Sequence, residues 1–311
     1  MRTRLVIGLL NYNAFLPDGE WNRIVDVAAA AERAGVDGIS VADHVVLSDQ
    51  LAEYPYGSFP GGPDGPWLEP LTTLAAIAGR TSKIRLITGI LIAPLRPAGL
   101  LAKAAATLDQ LSRGRLELGV GTGWLSAEYD ALGLDFGERG RLLDSTLAAC
   151  RELWRPGPTD FHSDHVSLSG VHCEPRPVQE GGVPFWIGGK PYGRNVDRIA
   201  RGGYGWLPPP GSRRDEIVAG TRRLRSAFAA VGRDPGSLQV RVSVAPMRNA
   251  DGRVDPSSTF RHLPALLEDT GATDVLVSHS AFAGRFDGHE EALYGQLVEE
   301  FSDALRGEDP S

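Results

Sequence analysis

The chain has 311 residues, of which 42% are hydrophobic and 23% are charged, the proportions of an ordinary globular protein. Its net charge of -7 argues against general nucleic-acid binding, which requires basic surfaces. The two cysteines, Cys150 and Cys173, imply no disulfide framework and favour a reducing, cytoplasmic location.

The first apolar run, Leu5–Leu10, leads into Asn11 without a small-residue cleavage pattern, so we interpret it as a buried strand rather than a signal peptide. No run is long enough to span a membrane. Eight short apolar runs resemble parallel strands buried on both faces: Leu5–Leu10, Gly38–Ala42, Ile84–Ile92, Leu116–Val120, Phe185–Gly188, Gly205–Leu207, Val240–Ala245 and Asp274–Ser278.

Amphipathic helical segments separate these runs: Trp21–Ala34, Leu71–Thr81, Gly99–Leu111, Arg139–Trp154, Asp215–Val231, Thr259–Thr270 and Glu290–Leu305. The alternation predicts a (β/α)₈ TIM barrel more than an open doubly wound sheet. We expect a single domain over residues 1–305, followed by a polar tail at 306–311. Two segments interrupt the pattern. Val45–Trp67 predicts a lid or binding loop after the second strand, and Gly157–Gly182 predicts a small hairpin insertion before the fifth strand.

Asp43 and His44 directly follow the second predicted strand. Barrel enzymes place their chemistry at the carboxyl ends of strands, and histidine exchanges protons readily near neutral pH. An adjacent carboxylate can orient the ring, so His44 with Asp43 is a candidate catalytic pair. The alternative is that Asp43 caps a turn while His44 packs a loop.

A glycine loop, Gly119–Trp124, follows the fourth predicted strand. Gly121 and Gly123 lack the Cβ atoms that would keep a flat ring or a phosphate away from the backbone, although a tight turn also explains them. Trp124 stands where the dinucleotide-binding fingerprint requires glycine, so the loop does not predict an open-sheet NAD dehydrogenase.

The fifth predicted strand ends in Gly188-Gly189-Lys190, and Arg194 opens the next helix. Free amides at a helix N-terminus beside two cations predict a phosphate site. The alternative is a tight turn with solvated charges. We expect no metal site, because His162, His165, His172 and Cys173 match no standard zinc spacing. No G-x-S-x-G elbow supports a serine hydrolase.

Segments from Leu5 to about Leu305 are similar to one known family. They are Val41–His44, Trp67–Leu71, Ile84–Leu91, Leu101–Lys103, Thr107–Arg115, Gly119–Trp124, Glu128–Gly133, Glu138–Arg141 and Trp186–Gly189. With these segments the chain resembles the bacterial luciferase-like monooxygenase superfamily, and more closely its actinobacterial branch, which is usually assigned to the deazaflavin coenzyme F420.

The resemblance implies a flavin or deazaflavin ring at the C-terminal mouth of the barrel. It implies that one ring face lies against the end of the third strand, often at a bulge or cis peptide, formed by Thr88, Gly89, Ile90 and Leu91. The residues it implies for the rest of the cofactor are Gly121, Thr122 and Gly123 near the ring and tail, and Gly188, Gly189, Lys190 and Arg194 at the phosphate. Sugar-phosphate-oxidising relatives carry a catalytic carboxylate where this chain has Trp124, which disfavours that mechanism and that substrate.

The leading interpretation is a cytoplasmic enzyme, an oxidoreductase that moves a hydride between F420 and a small organic substrate. His44 is the expected proton donor or acceptor, oriented by Asp43. The residues expected to shape the substrate side are Asn11, Trp124 and His279. The alternatives are a reduced-FMN monooxygenase on the same fold and a cofactor-binding barrel without turnover.

Family members are commonly dimers, so the resemblance implies a homodimer that acts on a small molecule, with no nucleic-acid or membrane partner. The Ala-rich segments Val27–Ala31 and Ala102–Ala106 could pack either against such a partner or against the barrel itself.

Overall fold

A closed barrel of eight parallel strands forms the centre of the protein. The structure is a computed structural model that describes residues 2–12, 19–283 and 286–307. Around the barrel the strands follow the order β1, β2, β3, β4, β7, β8, β9 and β12, and β12 pairs with β1. Their bounds are β1 Arg4–Gly8, β2 Gly38–Val41, β3 Arg85–Ile92, β4 Leu116–Gly121, β7 Phe185–Gly188, β8 Gly205–Leu207, β9 Gln239–Ser243 and β12 Asp274–Ser278. The predicted TIM barrel is confirmed, and three of its strands have the predicted bounds.

Helices connect successive strands and cover the barrel. They are α1 Arg23–Arg33, α2 Pro70–Arg80, α3 Ala98–Ser112, α4 Ser126–Ala131, α5 Arg139–Leu153, α6 Arg194–Gly202, α7 Arg214–Ala230, α8 Pro256–Phe260, α9 Leu263–Thr270, α10 His279–Phe282 and α11 Glu290–Arg306. The segment predicted as one helix over Thr259–Thr270 is two helices. Pro264 explains the break, because proline has no amide hydrogen to donate to the Phe260 carbonyl four residues earlier and is tolerated only in the first turn of a helix.

Two short antiparallel hairpins lie outside the barrel. They pair β5 Thr159–His162 with β6 Ser167–Val171, and β10 Met247–Arg248 with β11 Val254–Asp255. The first confirms the predicted insertion before the fifth barrel strand. The predicted polar tail begins at Arg306, which is the last residue of α11, and residues 308–311 lie outside the described residues. Within the described ranges, no helix is long and apolar enough to cross a membrane.

The two Ala-rich segments pack inside this chain. Ala28 and Ala31 on α1 and Ala102, Ala105 and Ala106 on α3 are fully buried by the chain's own residues. These segments therefore pack within the protomer, the second of the two readings that the sequence left open. They give no support to a dimer, which rests on the family resemblance alone.

Charged residues fill the floor of the barrel. Each lies at or near the amino end of its strand: Arg4 on β1, Arg85 on β3, Glu117 on β4, Arg241 on β9 and Asp274 on β12. Glu117 lies 2.6 Å from Arg4 Nη1 and 2.7 Å from Arg241 Nη2, and Asp274 lies 2.6 Å from Arg4 Nη2. We call these five residues the floor cluster.

The arginines determine the charge state of the floor cluster. Burial alone raises the pKa of Glu117, but the guanidinium groups of Arg241, Arg4 and Arg85 outweigh it and lower the pKa to about 2. The Arg241 guanidinium also lies 4.0 Å from the centroid of the Trp186 ring. The carboxylate of Glu117 therefore stays ionised although it is almost completely buried.

Gly119 is the position where β4 comes closest to its neighbours. A Cβ at this residue would lie 2.1 Å from the Thr88 carbonyl oxygen and 2.9 Å from Leu207 Cδ1. We expect Gly119→Ala to lower the free energy of unfolding by about 1–3 kcal/mol, because backbone and packed side chains must move. Urea denaturation measures this. Gly79 on α2 is the control, since it is exposed and a Cβ there meets no atom of the described residues within 4 Å.

Gly79→Ala should raise the free energy of unfolding by about 0.5–1 kcal/mol, the ordinary gain for a helix interior. Equal effects of the two substitutions would contradict the close approach at Gly119.

Candidate active site at the barrel mouth

His44 and Glu128 form a buried pair at the carboxyl end of the barrel. His44 follows β2, and its Nδ1 lies 3.1 Å from Glu128 Oε2. Glu128 is the third residue of α4 and is fully buried, and its Oε1 accepts a hydrogen bond from the Val45 amide at 2.7 Å. A carboxylate only accepts hydrogen bonds, so as a carboxylate Glu128 orients the ring with the N–H of Nδ1 toward it. The other ring nitrogen, Nε2, is then left for proton exchange.

Asp43 does not orient His44, so that prediction was wrong. Its Oδ2 accepts hydrogen bonds from the Ile92 amide at 2.9 Å and from Arg96 Nη1 at 2.6 Å, and its Oδ1 accepts from Arg96 Nη2 at 3.0 Å. Successive residues of an extended chain point to opposite sides. Asp43 therefore shares the side of Val41 and ties the end of β2 to the segment that joins β3 to α3.

Aromatic rings surround His44. Edge-on contacts join its ring to Trp67, Phe59 and Trp124, with centroid distances of 4.7, 5.4 and 5.9 Å. Tyr54 packs against both Phe59 and Trp124. We call Tyr54, Phe59, Trp67 and Trp124 the aromatic lid. Three of the four come from the loop predicted as a lid or binding loop, and Trp124, predicted to shape the substrate side, lies beside His44.

Tyr12, four residues after the end of β1, supports the lid. Its ring stacks on Trp67 at 3.9 Å, and Trp67 Nε1 donates to the Ala42 carbonyl at 3.3 Å. Burial, together with the neighbouring Tyr54, raises the pKa of Tyr12 to about 12. Tyr12 is therefore uncharged at neutral pH and adds another apolar ring to the wall around His44.

The end of β3 carries a bulge with a cis peptide bond between Gly89 and Ile90, as the resemblance implied. Thr88 is buried and donates to the Gly119 carbonyl at 2.8 Å, whereas Gly89 is exposed. Ile90 lies over two glycines of neighbouring strands. A Cβ at Gly121 would be 3.0 Å from Ile90 Cδ1, and a Cβ at Gly188 would be 3.2 Å from Ile90 Cγ2.

The glycine loop after β4 is explained by packing and by a turn. Gly123 has a φ of +67°, and a Cβ there would lie 3.0 Å from Ile92 Cγ2. The Thr122 carbonyl accepts a hydrogen bond from the Tyr129 hydroxyl at 2.5 Å. Turn geometry thus favours glycine at 123 and packing against Ile90 favours it at 121, and cofactor contact at Gly121, Thr122 and Gly123 stays a prediction.

The turn between β7 and α6 leaves several amides open. The Gly189 amide donates to the Leu207 carbonyl, but within the described residues the amides of Lys190, Gly193 and Arg194 have no acceptor. The side chains of Lys190 and Arg194 are exposed, and neither forms an ion pair with any residue that the structure describes. Open amides and two cations at the start of a nine-residue helix fit an anion. Lys190 and Arg194 remain candidates for phosphate, whereas the Gly189 amide is already used.

Asn11 and His279 are both buried and engaged inside the fold. Asn11 is fully buried, and its Nδ2 donates to the carbonyls of Ala42 and Leu68 at 2.8 and 2.7 Å. Its side chain therefore joins the segment after β1 to the residues that flank the lid loop. His279 continues the outward-facing alternation of Val275 and Val277, and its Nδ1 lies 2.9 Å from the Tyr294 hydroxyl on α11. Contact of either residue with a substrate stays a prediction.

The inward-facing residues at the carboxyl ends of the strands are small. Alternation from the floor cluster and Trp186 identifies them as Gly8, Gly121, Gly188, Ser243 and Ser278. Ser243 is exposed, and Gly8, Gly188 and Ser278 are half-buried. Residues that face the inside of a closed barrel can be accessible to solvent only if the space between them and the barrel mouth is open. The mouth is therefore open above these small residues, and we call this group of five residues the cradle.

The candidate metal ligands do not come together. His162 Nδ1 lies 3.0 Å from Ser167 Oγ, and His165 Nε2 lies 3.4 Å from Glu138. Among the residues that the structure describes, no three His, Cys, Asp or Glu side chains are grouped so that they could hold a metal ion.

Comparison with known proteins gives consistent matches. A family model described as luciferase-like monooxygenase matches residues 7–252. An uncharacterized protein of Mycobacterium tuberculosis is 34% identical over 180 residues, which are 58% of this chain and 63% of the relative. The aligned region thus covers less than two thirds of that relative.

Two solved structures share the fold. An F420-dependent secondary alcohol dehydrogenase, solved in complex with an F420–acetone adduct, superposes with a TM-score of 0.75 over 97% of this chain and 99% of its own, at 14% identity. A riboflavin lyase, solved with modified FMN and riboflavin, superposes with a TM-score of 0.75 over 100% and 93%, at 16% identity. At these identities the likeness concerns the fold alone.

Proposed function

Because the chain belongs to the luciferase-like monooxygenase family, we propose that it is an oxidoreductase that uses coenzyme F420 to move a hydride to or from a small organic substrate. The observation that carries the proposal is the buried pair of His44 and Glu128 beneath the aromatic lid. A carboxylate that fixes one nitrogen of a histidine leaves the other free for proton transfer at a substrate oxygen.

The barrel mouth fits a bound ring with a phosphate tail. The cradle of glycine and serine is open beside Ile90, and the amides of Gly193 and Arg194 are available beside Lys190. When bound, F420 supplies a hydride acceptor in its oxidised form and a hydride donor in its reduced form. His44 Nε2 would accept the hydroxyl proton of an alcohol that is oxidised, or donate a proton to the oxygen of a carbonyl that is reduced.

A reduced-FMN monooxygenase on the same barrel is the second candidate. The family description and the likeness to a lyase solved with modified FMN favour it. A barrel without turnover would leave the buried His44–Glu128 pair without a role, which makes it the weaker alternative.

A binding titration separates the two cofactors. We expect the purified protein to bind F420 clearly more tightly than FMN, measured by the change in cofactor absorbance or fluorescence. Lys190→Ala should weaken F420 binding several-fold, since one cation beside the phosphate is lost. Lys83→Ala, which removes an exposed lysine at the opposite end of the barrel, should leave binding unchanged. Clearly tighter binding of FMN would overturn the choice of F420.

A further inference from the structure

A basic groove runs along the outside of the barrel between α5 and α6. It encloses a cavity of about 280 Å³. The charged residues that line it are Arg151 and Asp144 of α5 and Arg194, Asp197, Arg198 and Arg201 of α6. Four arginines face two aspartates, so the groove carries a local excess of positive charge on a chain whose net charge is -7. We call this feature the arginine groove.

Two of the four arginines are already engaged by the protein. Arg198 Nε binds Asp144 at 2.6 Å, and Arg151 Nη2 donates to the Gly202 carbonyl at 2.7 Å. Arg194 and Arg201 are exposed, and among the described residues neither guanidinium has a hydrogen-bond or ion-pair partner. Arg151 and Arg198 are thus held in place by the protein, whereas Arg194 and Arg201, one toward each end of the groove, are available to bind an anion.

The arginine groove is continuous with the open amides at the start of α6. Arg194 is the first residue of this helix, and Arg198 and Arg201 follow on the same face at the fourth and seventh positions after it. At 1.5 Å of rise per residue, Arg201 lies roughly 10 Å further along the helix than Arg194. An anion held at Arg194 could therefore continue as an extended chain toward Arg201.

We propose that the arginine groove binds the oligoglutamate tail of F420, a chain of carboxylates that follows the cofactor's phosphate. This inference rests on the proposed function and deepens it, because FMN ends at its phosphate and has no use for such a groove. Repeated carboxylates match the spaced guanidinium groups, and each exposed contact adds a small, salt-sensitive increment of affinity.

The test compares three ligands by fluorescence titration: F420 with several glutamates, F420 with none, and the chromophore alone without phosphate. The wild-type protein should bind the long-tailed form about three- to tenfold more tightly than the form without glutamate. Arg201→Ala should remove most of that difference and leave the affinity for the glutamate-free form unchanged. Asp197→Asn should increase the difference, because it removes a negative charge from the groove.

Arg222→Ala is the matched control, since it removes an exposed arginine of α7 away from the groove. A wild-type affinity that does not depend on tail length would overturn the inference and leave the choice of F420 standing. A tail effect that survives in Arg201→Ala would also overturn it. Binding of FMN with no binding of any F420 form would instead overturn the proposed function, and the tail site with it.

Discussion

Replacing His44 with alanine should lower kcat by about 10²- to 10⁴-fold, the usual contribution of a positioned acid or base. Cofactor affinity should stay nearly unchanged, because His44 is held by Glu128 and the cofactor phosphate is assigned to Lys190 and Arg194. The measurement is steady-state turnover of a small alcohol or ketone that the wild-type protein converts, together with a cofactor titration of each variant. His289→Ala is the control, since that side chain is 85% exposed.

Glu128→Gln tests the pairing itself. The amide keeps the size of the carboxylate and one acceptor oxygen for the Val45 amide, but its NH₂ group faces the donor Nδ1 of His44. We expect kcat to fall by about 10²-fold or more because the tautomer is no longer held, with little change in KM. Unaltered turnover in folded Glu128→Gln would show that Glu128 only fills space.

Asp43→Asn separates the two carboxylates near His44. Asp43 forms its ion pair with the largely buried Arg96, so its loss should appear mainly in the melting temperature and much less in kcat. The opposite pattern, with a normal melting temperature and a large loss of kcat, would restore the pairing of Asp43 with His44 that the sequence suggested.

The sequence predicted the architecture because its patterns are local. Continuous apolar runs and the amphipathic segments between them determine strands and helices, and their alternation determines a barrel. The same strand periodicity also determines which side chains face the helices. Val275, Val277 and His279 alternate on one face, and neighbouring positions such as Asp43 and His44 point to opposite sides. This alternation alone assigns His279 and Asp43 to the helix-facing side.

The partner of His44 could not be predicted in that way. Glu128 is 84 residues away along the chain, and a glutamate in the first turn of a helix is common on surfaces. Only the closure of the barrel brings α4 beside the end of β2. The aromatic lid is equally non-local, since its rings come from one long loop and from the residue after Gly123.

The floor cluster was also missed, because its charges stand at the edges of apolar runs. Arg4 lies just outside the first predicted strand and Arg85 is the second residue of the third, and a charge at such a strand end normally meets solvent. Closing the barrel turns these ends inward, and Arg4 comes into contact with Glu117 across 113 positions of sequence. The sequence did contain a signal for the floor cluster, because each of five strands has one charged residue near its amino end.

Glu117→Gln should be among the most destabilising single substitutions in this chain. It leaves the buried guanidinium groups of Arg4 and Arg241 with only Asp274 to neutralise them. Removing one partner of a buried ion pair costs about 3–5 kcal/mol of unfolding free energy. Urea denaturation at neutral pH measures the loss. Glu152→Gln is the control, because it removes a partly exposed carboxylate that pairs with Arg155, a contact worth about 0–1 kcal/mol.

The loss caused by Glu117→Gln should depend on pH in a defined direction. The pKa of Glu117 is about 2 in the folded protein and has an ordinary value of 4.5. A carboxyl group whose pKa is lowered by folding stabilises the folded state fully above its unfolded pKa, and this contribution declines as the pH falls toward the folded pKa. The difference between wild type and Glu117→Gln should thus be constant from pH 7 to about 5 and shrink below pH 4.5. A difference that grows on acidification would show that Glu117 is protonated in the folded protein, and that burial outweighs the arginines around it.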